Sequence, residues 1–184
     1  MADETLLEVL DSLRERGAHG EASLTNAVGH AVSFLAAFPD HVGRVIDLGS
    51  GGGLPGLVLA VRRPDVSFTL VDRRERRMDL LRLAVARLGL TERVDVVTAD
   101  VVRLAEDESY ASRFDVVTAR AFGAPMLTAS CARPFLTAVG AIIVSEPPAS
   151  VARDRWNDAA LSALGLARSL QSFPHVQRLD RLAP

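Results

Sequence analysis

The chain contains no lysine, since all 21 of its basic residues are arginine. It also has a single cysteine, Cys131, which excludes an internal disulfide and a zinc site built from several cysteines. We expect Cys131 to be a small core residue of an apolar helix. Two explanations of the missing lysine stay open: a GC-rich genome, and selection for planar guanidinium groups that bind phosphate through two hydrogen bonds.

The chain also lacks a large net charge and long apolar runs. The formal net charge is −2 over 184 residues, which argues against a basic footprint extending over the whole chain. No apolar run of membrane-spanning length and no signal peptide stand out, so we expect a cytoplasmic protein without a membrane partner. With 48% hydrophobic residues, the chain is long enough for one domain, residues 1–184, with a full core.

Segments with strand and helix periodicity alternate along the chain and predict an α/β fold with a mostly parallel sheet and helices on both faces. Ser23 is the expected cap of the second helix. The predicted helices are 4–16, 24–38, 55–62, 75–88, 101–107, 125–137 and 151–164. The predicted strands are 44–48, 67–72, 94–98, 114–118 and 139–145, with a final hairpin of 166–172 and 175–182 around Pro174.

The stretch 45–56, Val-Ile-Asp-Leu-Gly-Ser-Gly-Gly-Gly-Leu-Pro-Gly, carries the strongest functional signal. A strand leads through Asp47 into a glycine loop, and Pro55 opens a helix. Glycines let a ligand approach the main chain, and amides at a helix start favour anionic or polar groups. The pattern resembles the first motif of class I S-adenosylmethionine (SAM) methyltransferases, where an acid suits the cationic cofactor. A dinucleotide fold and a purely structural turn are the alternatives.

Two further acids follow predicted strands, where open α/β sheets bind their ligands. Asp72 ends the second strand and can accept hydrogen bonds from both hydroxyls of a ribose. The alternative is a surface carboxylate paired with Arg73 or Arg76. Asp100 follows the third strand. In SAM-binding folds an acid here accepts from the adenine amino group while the next amide, of Val101, meets a ring nitrogen. A helix N-cap is the compatible alternative for Asp100.

Three segments together resemble one family. They are Leu-Gly-Ser-Gly-Gly-Gly-Leu-Pro-Gly (48–56), Leu-Val-Asp-x-x-x-Arg-Arg (70–77) and Phe-Asp-Val-Val-Thr-Ala-Arg-Ala (114–121). These runs resemble the RsmG or GidB family, which uses SAM to methylate N7 of one guanine in 16S ribosomal RNA. The likeness covers about 44–145. It implies a Rossmann-like methyltransferase with a seven-stranded sheet, an N-terminal helical extension (1–40) and a SAM-binding core (44–184).

The resemblance also implies site residues and a partner, 16S ribosomal RNA or the 30S subunit. The candidate catalytic residues are Arg120 and Glu146. Arg120 follows the fourth strand and can bind guanine O6 or a phosphate, or form a structural salt bridge. No metal is expected, and the oligomeric state stays open. The implied cofactor-binding residues are Asp47, Gly49, Ser50, Gly51, Gly53, Leu54, Asp72, Arg73, Asp100, Val101 and Arg120.

One candidate site residue departs from the family pattern. The family has lysine and glycine after the fifth strand, whereas this chain has Glu146 and Pro147. A carboxylate repels phosphate, so Glu146 is also compatible with a small-molecule acceptor, as a base or an ammonium partner. A SAM-binding protein without catalysis is a third hypothesis. The arginines of 73–77 are either a phosphate-binding edge or a solvated helix face, and His30 either lines the pocket or packs in an apolar face.

Overall fold

Helices and strands alternate along the part of the chain that the computed structural model describes, residues 2–18, 23–147 and 155–182. The helices are α1 (Ala2–Glu15), α2 (Leu24–Ala36), α3 (Gly56–Arg62), α4 (Glu75–Arg87), α5 (Val101–Leu104), α6 (Pro125–Ala132) and α7 (Asp158–Ala163). The strands are β1 (Arg44–Leu48), β2 (Ser67–Asp72), β3 (Val94–Thr98), β4 (Phe114–Ala119), β5 (Leu136–Ser145), β6 (Leu166–Arg168) and β7 (Val176–Arg181).

The seven strands form one sheet in the order β3-β2-β1-β4-β5-β7-β6. The first five strands of the chain pair in parallel, and β7 pairs antiparallel with both β5 and β6. Strand order reverses between β1 and β4, and such a switch point opens a crevice beyond the carboxyl ends of the strands. The predicted α/β fold with a mostly parallel sheet of seven strands and a closing hairpin is confirmed.

Each face of the sheet buries its own apolar cluster, because neighbouring residues of a strand point to opposite faces. On β1, Val45 joins the cluster that contains Leu10 of α1 and Leu57 of α3, whereas Ile46 joins the cluster that contains Phe135 and Leu161 of α7. All six side chains are at most 1% exposed. Helices therefore cover both faces, as predicted, and hold the strand ends in fixed register.

Several predicted boundaries were wrong. The helix predicted at 125–137 ends at Ala132, a 3₁₀ turn follows, and β5 begins at Leu136 instead of residue 139. The early start comes from a long-range pairing of Leu136 with Phe114, after which the register shifts. Gly140 lies at this irregularity, where a Cβ would come within 3.1 Å of two β4 carbonyl oxygens. A periodicity argument cannot detect such a contact between strands.

Other elements are shorter than predicted. Helix α5 ends at residue 104, and a hydrogen-bonded turn replaces the expected helix up to 107. Helix α7 covers 158–163, and residues 148–154 of the predicted helix lie outside the described residues. The hairpin strands cover 166–168 and 176–181. Ser23 occupies the N-cap position of α2, but its side chain makes no capping hydrogen bond.

Candidate active site

The glycine loop joins β1 to α3 and needs glycine for two physical reasons. Gly49, Gly51 and Gly53 have φ values of +69°, +51° and +88°, the left-handed region that side chains disfavour. Space is also short, because a Cβ on Gly49 would lie 2.9 Å from the ring of Phe122. The loop is therefore in direct contact with the segment that follows β4.

Asp47 lies beneath this loop and is completely buried. The Thr118 hydroxyl donates a 2.7 Å hydrogen bond to its Oδ1, while Oδ2 lies beside Gly56 without a hydrogen bond of normal geometry. Burial raises the pKa of Asp47 to about 6, and the hydrogen bond from Thr118 opposes that shift. Asp47 lines neither of the two cavities described below.

Ser50 and Leu54, two of the predicted cofactor residues, support the loop from within. The Ser50 hydroxyl donates to the Asp47 carbonyl (2.8 Å) and accepts from the Val71 amide (3.1 Å), which ties the loop to β2. Leu54 is 8% exposed and packs in the core. Both are placed as structural residues, and the loop presents its backbone at Gly49 to the cavity above it.

Asp72 is held in place by the backbone at the end of β2. Its Oδ2 accepts from the Gly51 amide (3.2 Å) and its Oδ1 accepts from the Arg74 amide (2.9 Å). No ion pair joins this carboxylate to a described arginine, although a pair with Arg73 or Arg76 was the alternative. Each carboxylate oxygen has a second lone pair, so Asp72 can still accept two hydrogen bonds from a ligand.

A cavity of about 410 Å³ opens between Asp72, the glycine loop and α5. Asp100 caps α5, its Oδ1 accepting from the amides of Val102 (2.9 Å) and Arg103 (3.4 Å), so the predicted N-cap is confirmed. Its Oδ2 remains open to a ligand. The cavity is lined by Gly49, Asp72, Arg73, Arg74, Arg77, Ala99, Asp100, Val101, Val102, Ala121, Phe122, Leu127 and Cys131.

Two apolar side chains and one thiol complete the rim of this cavity. Val102 is 58% exposed and Leu127 is 56% exposed, although both are apolar. Cys131 lies on α6 and packs against the core, as expected, but it is only partly buried and reaches the same rim. Exposed apolar groups beside an open carboxylate suit a flat heterocycle that carries an amino group.

The arginines of the segment 73–77 share one feature. Several other arginines meet a carboxylate, as Arg63 meets Asp65 at 2.7 Å and Arg87 meets Glu8 at 3.1 Å. Within the described part of the chain, the arginine side chains of this segment make no hydrogen bond or ion pair. They are Arg73, Arg74, Arg76 and Arg77. Free guanidinium groups beside a cavity attract anions.

A second cavity, of about 340 Å³, adjoins the first at Ala121 and Phe122. These two residues line both cavities. Ala121 has a φ of +51°, which is unfavourable for a residue with a Cβ. Such strain is characteristic of functional segments. The second cavity is lined by His30, Arg120, Ala121, Phe122, Gly123, Pro125, Val144, Ser145, Glu146, Pro147, Arg155 and Trp156.

Arg120 lines the second cavity and not the first. Its guanidinium makes no hydrogen bond or ion pair with any described residue. Burial lowers the pKa of Arg120, and the nearby Asp47 carboxylate opposes that shift. A half-buried arginine whose donors are all unused can bind an acceptor-rich ligand. Its predicted role toward an acceptor stays a prediction, now with a defined cavity.

Glu146 is the other predicted catalytic residue, and it lies in the same cavity with two partners that the sequence did not indicate. Trp156 donates a 2.7 Å hydrogen bond from Nε1 to Glu146 Oε1, and Arg155 Nη1 is 3.5 Å from Oε2. The Glu146 amide donates to the His175 carbonyl (2.8 Å). Trp156 is the only tryptophan of the chain, which is the one signal that could have singled it out.

His30, on α2, reaches the second cavity from the N-terminal part of the chain. Its Nε2 lies 3.3 Å from the His175 carbonyl oxygen, and the two imidazole rings are 5.8 Å apart. Burial lowers the pKa of His30, and the positive charge of Arg120 adds to that effect. Of the two interpretations left open, the structure supports a residue that lines a cavity.

The fold is the Rossmann-like fold of the SAM-dependent methyltransferase class. A cofactor-bound protein from MTB, Rv0187, matches with a TM-score of 0.68 and 17% identity over 100% of this chain and 90% of its own. A SAM-dependent O-methyltransferase from Thermotoga maritima matches with a TM-score of 0.63 and 15% identity over 96% and 72%. At these identities the likeness establishes the fold.

Sequence comparison defines the family within this class. Residues 21–173 match GidB, described as rRNA small subunit methyltransferase G, and the chain belongs to that family. The relative from Leifsonia xyli is 44% identical over 110 residues, 60% of this chain and 50% of the relative. The relative from Acidiphilium cryptum is 37% identical over 146 residues, 78% and 61%. Both are named ribosomal RNA small subunit methyltransferase G.

The chain spans about half the length of several curated relatives that it matches, covering 47%, 50% and 43% of three of them. The described residues nevertheless include both cavities and the complete seven-stranded sheet. Within residues 2–18, 23–147 and 155–182, no helix combines the length and the apolar character needed to cross a lipid bilayer.

Proposed function

We propose that this protein transfers a methyl group from SAM to N7 of a guanine in 16S ribosomal RNA, in the cytoplasm. The observation that supports this most directly is the pair of adjoining cavities that share Phe122. One presents backbone-held carboxylates, and the other presents the free guanidinium of Arg120. Membership of the GidB family supplies the class of acceptor.

The first cavity fits SAM by the chemistry of its donors and acceptors. Asp72 has lone pairs for two ribose hydroxyls, and Asp100 Oδ2 is open to an adenine amino group. Val102 and Leu127 supply apolar surface for the purine ring. Gly49 lines this cavity and has no side chain, so the loop backbone can approach a ligand closely. When bound, SAM supplies an electrophilic methyl group.

The second cavity would position the acceptor. Guanine N7 already carries a lone pair, so no protein group has to remove a proton before the attack. The contribution of the protein is therefore orientation and exclusion of water. Arg120 can donate to guanine O6, which lies next to N7.

Ribosomal RNA is favoured over a small molecule by the free arginines of 73–77, which lie beside the first cavity. The test is transfer of radiolabelled methyl from SAM to 30S subunits and to naked 16S RNA from a strain that lacks its own enzyme. We expect 7-methylguanosine after nucleoside digestion. Protein that binds SAM but transfers no label would contradict the proposal, and would favour a small-molecule acceptor or a non-catalytic role.

A further inference from the structure

We infer that Glu146 selects guanine as the acceptor base by accepting hydrogen bonds from its N1–H and N2 amino group. The inference rests on the proposed function and adds a specificity residue to it. It starts from a contradiction: a carboxylate lies in the cavity proposed for an RNA base, at a position where the family resemblance implies a lysine.

The Glu146 carboxylate is held in one orientation. Trp156 Nε1 donates to Oε1 (2.7 Å), Arg155 Nη1 is 3.5 Å from Oε2, and the backbone is fixed by the amide bond to the His175 carbonyl. An ionised carboxylate has about four acceptor positions, so these contacts leave one free on each oxygen. The side chain of Glu146 is 19% exposed, which is enough for a ligand in the cavity to reach it.

Two free acceptors side by side select one base. Among the four RNA bases, only guanine presents two adjacent donors on its Watson–Crick edge, N1–H and the N2 amino group, next to the O6 acceptor. Adenine and cytosine place an acceptor beside their amino group, and uracil flanks its single N–H with two acceptors. Arg120 and Glu146 line one cavity, so a donor fork for O6 and an acceptor pair for N1 and N2 are both available there.

The Glu146 carboxylate also offsets the positive charge that methylation places on the base. Methylation at N7 leaves the guanine ring with a positive charge, and Arg120 and Arg155 are already cationic. Glu146 is the carboxylate that lines this cavity among the described residues. A negative group on the Watson–Crick edge stabilises the developing positive charge of the base. A lysine at that edge would instead repel the positive charge of the methylated base.

The test compares guanosine with inosine, which lacks the N2 amino group, at the methylated position of 30S subunits reconstituted from joined 16S RNA fragments. We expect the wild-type protein to methylate the guanosine substrate about 10-fold faster or more, the effect of one hydrogen bond to a charged group. In Glu146→Gln this ratio should fall to about 2-fold. Asp158→Asn is the matched control. Asp158 forms an ion pair of 2.7 Å with Arg168 and does not line the cavity.

A second variant separates recognition from folding. Trp156→Phe keeps the aromatic ring and removes the N–H that orients Glu146, so the ratio should fall by a smaller factor while SAM affinity stays unchanged. An unaltered ratio in Glu146→Gln, in protein that binds SAM normally, overturns the inference. Transfer by the wild-type protein to neither substrate overturns the proposed function, and this inference with it.

Discussion

The two cavities meet at Phe122 but are built in different ways. In the first, Asp72 is held by the amides of Gly51 and Arg74, and Asp100 by the amides that begin α5. In the second, Glu146 is held by the side chains of Trp156 and Arg155. Backbone contacts survive most substitutions nearby, whereas side-chain contacts change with each one. We therefore expect the first cavity to vary less among relatives than the second.

The largest effect is expected in the first cavity, where backbone amides hold the carboxylates. Asp72→Ala removes a carboxylate that can make two hydrogen bonds to a ribose, each worth about 1.5–3 kcal/mol to a charged partner. Affinity for SAM, measured by titration calorimetry, should fall by about 100-fold or more. Asp79→Ala is the control, because Asp79 lies exposed on α4 and pairs with Arg82. Equal affinities of Asp72→Ala and the wild-type protein would remove Asp72 from the cofactor site.

The second prediction separates the two cavities. Arg120→Gln should lower the rate of methyl transfer by about 10- to 100-fold, since it removes charge-assisted hydrogen bonds to the acceptor. The affinity for SAM should change little, because Arg120 lines only the second cavity. Arg103→Gln, at an exposed position of α5 outside both cavities, is the control. Parallel losses of transfer rate and SAM affinity would place Arg120 in the cofactor site, as the sequence also allowed.

The two cavities also differ in how far the sequence predicted them. Asp72 and Asp100 follow strands that can be recognised from the sequence alone. Their position at the same edge of the sheet could therefore be predicted. Trp156 and Arg155 meet Glu146 because the segment before α7 packs over the end of β5, a contact that no local pattern records. His30 reaches the same cavity from α2, more than a hundred residues earlier. The cavity built from distant side chains is the part that sequence reasoning missed.

The third prediction concerns Asp47, the buried carboxylate beneath the glycine loop. Its pKa is raised from 3.8 to about 6 in the folded protein, so the folded state binds more protons than the unfolded state between these values. The contribution of Asp47 to stability is therefore present at low pH and is lost as pH rises through about 6. Between pH 4.5 and 7.5 the loss should be about 2 kcal/mol.

Urea unfolding of the wild-type protein and of Asp47→Asn, at both pH values and without ligand, measures this loss as a difference between the two proteins. Asparagine cannot ionise, so the variant should lack this part of the pH dependence. Other carboxylates contribute equally to both proteins and cancel in the difference. Parallel curves for the two proteins would mean that Asp47 is ionised in the fold at low pH, and that the raised pKa is wrong.

The smallest effect is expected from a test of whether the arginines of 73–77 contact the RNA. Arg76 is exposed, makes no side-chain hydrogen bond or ion pair with a described residue, and lines neither cavity. Arg76→Gln should weaken binding of 16S RNA several-fold and lower the salt slope of log K by about 1, because one phosphate contact is lost. Arg82→Gln is a closely matched control, since Arg82 lies on the same helix but pairs with Glu75 and Asp79. If both variants bind RNA with the same affinity and salt slope as the wild-type protein, the segment 73–77 is a solvated helix face, and RNA contacts are confined to the second cavity.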